Sequence, residues 1–330
     1  MKNILNRLFS HETLSKDEAK NVLVNISKGN YNQCQIASFL TVYMMRNISI
    51  EELSGFREAM LDLCIKIDLS AYNTIDLCGT GGDEKDTFNI STLSAFVAAG
   101  AGIKVAKHGN YGVSSVSGSS NVMENLGVKF SNDHNFLEKC IDQAGICFLH
   151  APLFHPAMKN VASIRKDLGV KTFFNMLGPM VNPSFPKNQL VGVFNLELAR
   201  MYAYLFQNTD TNFNILYSLD GYDEISLTGK TKSISNTKEI LFSAEDFGLQ
   251  KINQIDIQGG KTIDESAKMF LNILSGKGTE AQNNVVSANA GIAIAMVNNL
   301  DIKKGFELAK ESLLTGKGLE KFKKLKNLSS

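Results

Sequence analysis

The sequence predicts an α/β protein with a small all-helical domain and a larger domain in which a central, mostly parallel sheet is flanked by helices. Residues 1–70 contain only helical patterns, whereas residues 71–330 alternate short apolar strands with helices. A glycine-rich loop joins the first strand to its helix, as in a βα unit. Residues 171–183 mix Asn, Gly and Pro with Phe and Leu, which is typical of a crossing between domains. We therefore expect part of 165–187 to join the helical domain.

Composition restricts the class of protein. The chain has 330 residues, 44% of them hydrophobic, which is enough to bury a large core. Its 34 basic and 33 acidic side chains leave a formal charge of +1, so no overall field attracts nucleic acid or an anionic membrane. The five cysteines include no C-x-x-C pair, which favours a reducing compartment, and we expect Cys34, Cys64, Cys140 and Cys147 to be buried. No signal peptide or membrane-spanning apolar run is recognisable, which predicts a cytoplasmic protein.

The helical domain is predicted from its capping boxes and its apolar spacing. Ser15 with Glu18 and Ser49 with Glu52 each match a capping box, in which two side chains satisfy free backbone N–H groups at a helix start. The segment fits a plain helical core and also a dimerisation face. Apolar residues recur between the boxes at helical spacing: Ile36, Phe39, Leu40 and Tyr43.

The larger domain is predicted from alternating strand and helix patterns. Pro156 suits the start of a helix, since its missing N–H would be unpaired there, and Gly169 suits the end of the same helix. That helix carries Arg165. We predict strands at residues 74–78, 103–106, 146–149, 189–194 and 214–219. We predict helices at residues 91–99, 119–126, 156–169, 197–206, 264–274, 285–296 and 303–314, the last of which closes the chain.

The most informative loop follows the first strand and ends in Gly79-Thr80-Gly81-Gly82-Asp83. Missing Cβ atoms let backbone N–H groups approach a phosphate closely. The helix that follows residues 89–92 offers a second attraction for an anion at its N-terminus. The same residues also fit a tight turn and an ordinary cap at Ser91, and spacing alone does not separate these readings. Neither nucleotide fingerprint matches, because the Walker A spacing is absent and Glu84 stands where G-x-G-x-x-G requires its third glycine.

Two further polar clusters follow predicted strands. Lys107-His108-Gly109-Asn110 lies at the C-terminal end of the second strand, where ligands gather in open α/β sheets, although a solvated lysine and a structural histidine also fit. The small polar residues 114–118 suit a loop that closes over a substrate, or an ordinary surface loop. Asp223 and Glu224 follow a later strand and suit Mg²⁺, although two acids also fit a solvated turn. Because these loops end strands of one predicted sheet, we favour a shared phosphate and metal site.

In combination and in order, these motifs resemble those of the anthranilate phosphoribosyltransferases, which join anthranilate to phosphoribosyl pyrophosphate (PRPP) in tryptophan biosynthesis. The resemblance spans nearly the whole chain. It is carried by residues 79–83, 89–92, 107–110, 114–115, 117–118, 152–158, 174–179, 245–249, 259–260 and 288–290, with Arg165, Asp223 and Glu224.

The resemblance implies a set of site residues and partners. It implies a homodimer formed through the N-terminal helices, and neither nucleic acid nor membrane as a partner. The implied PRPP-binding residues are Gly79, Thr80, Gly81, Gly82, Asp83, Thr87, Asn89, Ser91, Thr92, Lys107 and Ser119. The implied ligands of Mg²⁺, two ions per subunit, are Ser91, Asp223 and Glu224. The implied anthranilate-binding residues are Gly79, His108, Asn110, Gly178 and Arg165, whose planar fork suits the substrate carboxylate.

The implied reaction displaces pyrophosphate by the aromatic amine through an oxocarbenium-like state at the anomeric carbon, with no covalent nucleophile. Catalysis would come from positioning two substrates and from electrostatic relief of the leaving group. The chain departs from the family pattern at Tyr111 and Gly112, where many members have Arg and a small residue, and at Val116, which replaces a frequent basic residue. The missing positive charge bears on how tightly this loop closes over the donor and on substrate choice.

Three other classes of protein compete with this interpretation. A pyrimidine nucleoside phosphorylase resembles the family in fold, but its arginine- and lysine-bearing base-binding motif is not visible here. A non-catalytic relative that binds nucleic acid needs clustered Lys and Arg, which the near-neutral charge does not favour. A purely structural dimerisation protein leaves the three polar loops without a purpose.

Overall fold

The computed structural model describes residues 1–112 and 116–329. Contacts between residues divide the chain into two compact units, each made of two separate stretches of sequence. The helical unit comprises Met1–Ile67 and Ala151–Pro183, and the α/β unit comprises Asp68–His150 and Ser184–Ser330.

The described residues form α-helices, short 3₁₀ turns and strands that pair into one sheet. The helices are α1 (Lys2–Phe9), α2 (Lys16–Ser27), α3 (Gln33–Met45), α4 (Ile50–Leu63), α5 (Ile90–Gly100), α6 (Ser119–Asn125), α7 (His134–Ala144), α8 (Ala151–Phe154), α9 (Lys159–Leu168), α10 (Phe174–Leu177), α11 (Leu196–Gln207), α12 (Ile263–Leu274), α13 (Glu280–Asn298), α14 (Ile302–Leu314) and α15 (Lys317–Leu328). The strands are β1 (Thr74–Gly79), β2 (Lys104–Gly109), β3 (Ile146–His150), β4 (Asn188–Gly192), β5 (Asn212–Ser218), β6 (Thr231–Ser235) and β7 (Glu239–Phe242). The 3₁₀ turns are Pro156–Met158, Gly178–Met180, Ala244–Phe247 and Gln254–Ile257.

The capping boxes predicted for the helical unit are confirmed. Ser15 and Ser49 accept bonds from the N–H groups of Glu18 and Glu52, and both glutamates reach back to the cap residue. Asn32 forms a further box at the start of α3 that the sequence analysis did not name. Because each box satisfies free N–H groups, it sets where its helix begins.

The second stretch of the helical unit is residues 151–183, so it begins earlier in the chain than the predicted residue 165. Its helices α9 and α10 pack against α2, α3 and α4, so this stretch shares their core. Phe173 stacks on Phe56 with ring centroids 4.4 Å apart, and it meets the edge of Phe39 at 6.2 Å. The predicted helix at 156–169 is instead a 3₁₀ turn followed by α9, which ends at the left-handed Gly169.

The sheet of the α/β unit has the order β3-β2-β1-β4-β5-β6-β7. The pairings from β3 to β5 are parallel, which confirms the predicted parallel sheet, and β6 and β7 add antiparallel strands at one edge. In this register Gly79 at the end of β1 lies beside Gly192 at the end of β4. The carboxyl ends of the central parallel strands therefore meet at one edge of the sheet, where α/β proteins bind ligands.

Two strands and two α-helices of the described α/β unit were not predicted: β6, β7, α7 and α15. Strand β6 has the sequence Thr-Lys-Ser-Ile-Ser, which carries too few large apolar residues to indicate a strand. Helix α15 is rich in lysine and buries only Gly318, Phe322 and Leu325. The prediction that the helix at 303–314 closes the chain is wrong, because α15 follows it.

Helix α13 is the most buried long helix in the described α/β unit, with every residue from Asn283 to Ala295 buried. A Cβ built on Gly305 would lie 2.2 Å from the carbonyl oxygen of Gly291, so this glycine pair lets α14 pack very closely on α13. Within the described residues no single helix is both long and apolar enough to cross a membrane, although α13 and α14 pass that test as a bent pair.

The cysteine prediction holds at three positions and fails at one. Cys64, Cys140 and Cys147 are buried, whereas Cys34 is exposed. Cys34 lies in the first turn of α3, where it faces away from the apolar residues of that helix, so helix membership alone did not predict its burial.

Candidate active site

The carboxyl ends of β1 and β4 receive the loop that carries Asp223. A Cβ on Gly192 would lie 1.3 Å from the Asp223 carbonyl oxygen, and a Cβ on Gly79 would lie 2.5 Å from the Asp223 carboxylate. Any side chain at either glycine would push this loop away from the strand ends. The two glycines therefore bring the acidic loop and the glycine loop into contact. The sequence predicts that both loops end strands of one sheet, and the strand order places them side by side.

The Asp223 carboxylate bonds directly to the glycine loop. Its Oδ2 accepts a hydrogen bond of 2.8 Å from the Gly81 N–H and one of 3.4 Å from the Thr80 hydroxyl. Gly81 and Gly82 have φ values of +61° and +110°, which favour glycine and turn the backbone back towards the acid. Asp223 is buried and Glu224 is half-buried, so the interpretation of these acids as a solvated turn is wrong.

Glu224 meets the N-terminus of α5. Its Oε1 accepts a hydrogen bond of 2.8 Å from the Ser91 N–H, in the first turn of that helix. The cap residue of α5 is Asn89 rather than Ser91, and the Asn89 amide bonds to the Ser117 carbonyl oxygen at 3.1 Å. The positive end of the helix dipole thus faces an acidic side chain of this chain.

Asp83, Asp223 and Glu224 form a group of interacting acids. Burial and the charge of Asp83 raise the pKa of Asp223 to about 7. Burial and the charges of Asp223 and Asp83 raise the pKa of Glu224 well above its usual value. Burial also raises the pKa of Asp83. The three acids repel one another, so a cation among them would be strongly favoured.

The donor set suits Mg²⁺ only in part. In the described residues no group of three or more His, Cys, Asp and Glu side chains is arranged to hold a metal ion by itself. Mg²⁺ is commonly bound by one or two carboxylates together with substrate phosphates and water. The carboxylates of Asp223 and Glu224, with the Ser91 hydroxyl, therefore fit a magnesium site that phosphate oxygens would complete.

The end of β2 carries Lys107 and His108 inside the protein. Lys107 is 1% exposed and its ammonium donates a hydrogen bond of 2.6 Å to the Leu77 carbonyl oxygen, so a solvated surface lysine is ruled out. The charge of Lys107 lowers the pKa of Glu224. Burial and the acidic neighbours raise that pKa by more, so the net shift is upward. His108 is also buried, and its backbone N–H donates a hydrogen bond of 3.1 Å to the Asp76 carboxylate.

The remaining predicted PRPP-binding residues of the α/β unit lie in the chain segments that follow β1 and β2. Thr87 forms an isolated antiparallel bridge with Gln258, and Thr92 is buried in α5. Ser119 begins α6 and its hydroxyl donates to the Asn110 carbonyl oxygen at 3.3 Å. The described residues of this set therefore belong to a single unit.

Arg165 and Gly178 belong to the helical unit. The Arg165 guanidinium donates a hydrogen bond of 3.2 Å to the Asn175 side-chain oxygen and lies over the Phe174 ring, 5.4 Å from its centroid. Burial lowers the pKa of Arg165. Gly178 begins a 3₁₀ turn in the same stretch. At this contact the Arg165 guanidinium therefore bonds to a neutral side chain.

Comparison with known proteins identifies the family. A family model described as "Glycosyl transferase family, a/b domain" matches residues 71–319, and one described as "Glycosyl transferase family, helical bundle domain" matches residues 2–64. An anthranilate phosphoribosyltransferase of Flavobacterium psychrophilum is 80% identical over 329 residues, which is 100% of both chains. The chain belongs to the anthranilate phosphoribosyltransferase family.

Solved structures of anthranilate phosphoribosyltransferases have the same fold. The enzyme of Thermus thermophilus is 29% identical, with a TM-score of 0.90 and 98% of each chain covered. The enzyme of Saccharomyces cerevisiae, in complex with PRPP and Mg, is 28% identical, with a TM-score of 0.90 over 98% of this chain and 96% of that chain. The family resemblance found in the sequence is confirmed.

The loop at which the chain departs from the anthranilate phosphoribosyltransferase pattern is described at its two ends. Ser114 and Ser115, which helped to carry the resemblance, lie outside the described residues. The Tyr111 ring meets His150 edge-on at 4.8 Å, and its hydroxyl donates to Glu124 at 3.4 Å. Val116 is 50% exposed.

Sequence reasoning missed a residue that joins the two ends of this loop. The Asn121 side-chain oxygen accepts hydrogen bonds from the N–H groups of Gly112 at 2.9 Å and Gly118 at 3.0 Å. A Cβ on Gly118 would lie 2.2 Å from the Gly112 nitrogen, so the close approach depends on this glycine. The only signal in the sequence was an asparagine in the first turn of the predicted helix at 119–126.

Proposed function

We propose that this protein transfers the phosphoribosyl group of PRPP to the amine of anthranilate, giving N-(5'-phosphoribosyl)anthranilate and pyrophosphate in tryptophan biosynthesis. The observation that carries the proposal is the meeting of the glycine loop, the N-terminus of α5 and the acids Asp223 and Glu224 at one sheet edge. Relatives that cover the whole chain bear this activity in their names.

The donor is proposed to bind at that sheet edge. The dipole of α5 would attract phosphate to the N-terminus of that helix, where the Ser91 N–H already bonds to Glu224. Asp223, Glu224 and Ser91 are the proposed ligands of Mg²⁺, at two ions per subunit, and the yeast relative is in complex with PRPP and Mg. When bound, Mg²⁺ supplies the charge that neutralises the departing pyrophosphate. The further proposed donor contacts are Gly79, Thr80, Gly81, Gly82, Asp83, Thr87, Asn89, Thr92, Lys107 and Ser119.

The acceptor is proposed to bind through its carboxylate to Arg165. The guanidinium is held by Asn175 and by the Phe174 ring, which orient its planar group of N–H donors. Both of these partners are uncharged. Yeast relatives have been solved in complex with 4-fluoroanthranilate. The further proposed acceptor contacts are Gly79, His108, Asn110 and Gly178.

The proposed reaction is a displacement at the anomeric carbon of the ribose. The bond from that carbon to the pyrophosphate oxygen breaks with its electron pair leaving on oxygen, the anthranilate nitrogen forms the new bond, and the nitrogen then loses a proton. No covalent intermediate with the protein is needed. The chain contributes by orienting both substrates and by stabilising charge as it develops.

We further propose a cytoplasmic homodimer. The exposed apolar side chains of Phe9, Met44 and Met45 in the N-terminal helices support a dimer interface there. The unpaired cysteines, Cys34 among them, suit a reducing compartment.

A fluorescence assay tests the activity. The protein is mixed with anthranilate, PRPP and Mg²⁺, and the expected result is a loss of anthranilate fluorescence that requires all three. Persistent fluorescence with folded protein would contradict the proposal. Phosphorolysis of thymidine by the same preparation would instead favour a nucleoside phosphorylase.

A further inference from the structure

The loop that carries Asp223 and Glu224 has an anchor on α13 that the reaction described above does not use. Residues 219–230 join β5 to β6 and contain no helix or strand, so this segment cannot hold its own backbone by a regular hydrogen-bond pattern. Ile225, directly after Glu224, is 1% exposed. Its N–H and carbonyl groups are thus shielded from water and need partners in the protein.

Both groups are satisfied by one side chain. The Asn289 side-chain oxygen accepts a hydrogen bond of 3.0 Å from the Ile225 N–H, and the Asn289 amide nitrogen donates one of 2.9 Å to the Ile225 carbonyl oxygen. The same nitrogen donates a second bond of 2.9 Å to the Val285 carbonyl oxygen of α13. Asn289 is 5% exposed. Its side chain accepts one hydrogen bond from Ile225 and donates one to it, as a residue of a neighbouring strand would.

The peptide group between Glu224 and Ile225 is held from the opposite side as well. Ser218, at the end of β5, donates a hydrogen bond of 2.6 Å from its hydroxyl to the Glu224 carbonyl oxygen. The N–H of this same peptide group donates to Asn289. One peptide group is therefore clamped between the sheet and the most buried long helix of the described unit, directly beside Glu224.

The clamp is close to the acids themselves. Asn289, Asp223, Glu224 and Ser91 line one cavity of about 20 Å³. A rotation of the clamped peptide would move the Glu224 side chain relative to Ser91, whose N–H bonds to it at 2.8 Å. Because Asp223 is next in the chain and rests against Gly192, the same rotation would move both carboxylates.

We propose that Asn289 is a positioning residue that holds the carboxylates of Asp223 and Glu224 in the geometry that binds Mg²⁺ with PRPP, with Ser218 as its counterpart on the sheet. This inference rests on the proposed metal role of those two acids. It gives a purpose to the Ala288-Asn289-Ala290 motif of α13, which the proposed substrate contacts leave unused.

The test is Asn289→Ala, measured first by hydrogen–deuterium exchange of the peptide that contains Ile225. Exchange in residues 219–230 is expected to rise, since two buried backbone groups lose their partner. Calorimetry is expected to find PRPP with Mg²⁺ bound about tenfold more weakly, or ~1.4 kcal/mol. The KM for anthranilate is expected to change less than twofold, because Asn289 does not act on that substrate.

Ser218→Ala is the second variant, and it is expected to give the same pattern because it releases the same peptide group. It carries the test if Asn289→Ala does not fold. Asn283→Ala is the matched control: Asn283 is also a buried asparagine on α13, but its amide bonds to the Gly278 carbonyl oxygen at 3.1 Å, away from the acidic loop. Unchanged exchange in 219–230 for folded Asn289→Ala and Ser218→Ala overturns the proposal, as does an equal loss of PRPP affinity in Asn283→Ala.

The substitution Asp223→Asn separates this inference from the proposed function. If Asp223→Asn leaves the Mg²⁺ dependence of PRPP binding unchanged, the metal role fails and the positioning role falls with it. If Asp223→Asn removes that dependence while Asn289→Ala and Ser218→Ala bind PRPP normally, the metal role stands and only the positioning role is wrong.

Discussion

Glu52 in the helical unit and the Asp223–Glu224 pair in the α/β unit are acids withdrawn from water, and the protein treats them in opposite ways. Glu52 is 0% exposed and accepts hydrogen bonds from the Arg46 guanidinium, the Tyr43 hydroxyl and the Leu14 N–H. Burial would raise its pKa, but Arg46 and the backbone N–H donors outweigh burial, and the pKa of Glu52 lies below its usual value.

The acids of the α/β unit lack such compensation. Burial and the charge of Asp83 raise the pKa of Asp223 to about 7, although N–H and hydroxyl groups also bond to it. The two units therefore use buried acids differently. The carboxylate in the core of the helical unit is neutralised by a cation of its own chain, whereas the negative charge of the acids in the α/β unit can be balanced by a bound cation.

The largest effect is expected from removing both charges at the sheet edge. Asp223→Asn with Glu224→Gln should lower kcat/KM by about 10³-fold or more and abolish the response to Mg²⁺, since several kcal/mol of transition-state stabilisation are lost. Steady-state rates across a Mg²⁺ titration measure this. Glu320→Gln, an exposed acid in α15, is the control and should leave rates unchanged. A double variant that still responds to Mg²⁺ would show that the metal assignment is wrong.

Arg46→Met should have the opposite signature, a loss of stability without a direct effect on the chemistry. Leaving Glu52 buried without its cation is expected to cost ~3–5 kcal/mol in urea unfolding at pH 7. Because the pKa of Glu52 is lowered on folding, its stabilising effect is present above the unfolded value near 4.5 and is lost as pH falls through the folded value. The deficit of the variant should therefore shrink in acid.

The control for Arg46→Met is Arg7→Met in the same unit. Arg7 pairs with Glu12 and Glu18, but each of these side chains is at least 38% exposed, so the loss of stability should be much smaller. Equal losses in the two variants would mean that burial of Glu52 does not set the energy of its ion pair.

Arg165 extends the comparison to cations, since it bonds to the neutral Asn175 where Arg46 bonds to an acid. Arg165→Ala should raise the KM for anthranilate by about 10- to 100-fold through the loss of a charge-assisted pair, with little change for PRPP. Separate saturation curves for the two substrates distinguish these effects. A larger loss for PRPP than for anthranilate would reassign Arg165 to the donor.

The smallest effect concerns the stability of the metal-free protein. Because the pKa of Asp223 is raised on folding from 3.8 to about 7, the folded state is penalised as pH rises from the unfolded value and fully penalised above the folded one. Relative to the unsubstituted protein, Asp223→Asn should therefore raise the free energy of unfolding of the metal-free protein by ~1–2 kcal/mol more at pH 8 than at pH 5. The neighbouring acids titrate together with Asp223 and limit the size of this difference. Chemical unfolding in a metal chelator at both values measures this, and a pH-independent difference would contradict the raised pKa.

Much of the fold was predictable because its signals are local. The capping boxes at Ser15 and Ser49, and the apolar runs that became β1 to β5, specify nearby hydrogen bonds and buried faces. The helices α7 and α15 and the strands β6 and β7 were not predicted. Strand β6 has few large apolar residues and α15 is rich in lysine, so the local apolar signal of these two elements is weak.

The sequence by itself determined the two classes of unit, the glycine loop, the acidic pair and the family. Tertiary structure alone decided that the Asp223 carboxylate bonds to Gly81, 142 positions away, that Asn289 anchors Ile225 across 64 positions, and that Lys107 is buried. The physical reason is that periodicity and turn residues record which face of an element is buried. Which loops meet at a sheet edge depends on strand order and on glycines such as Gly192, where another chain segment must come within contact distance.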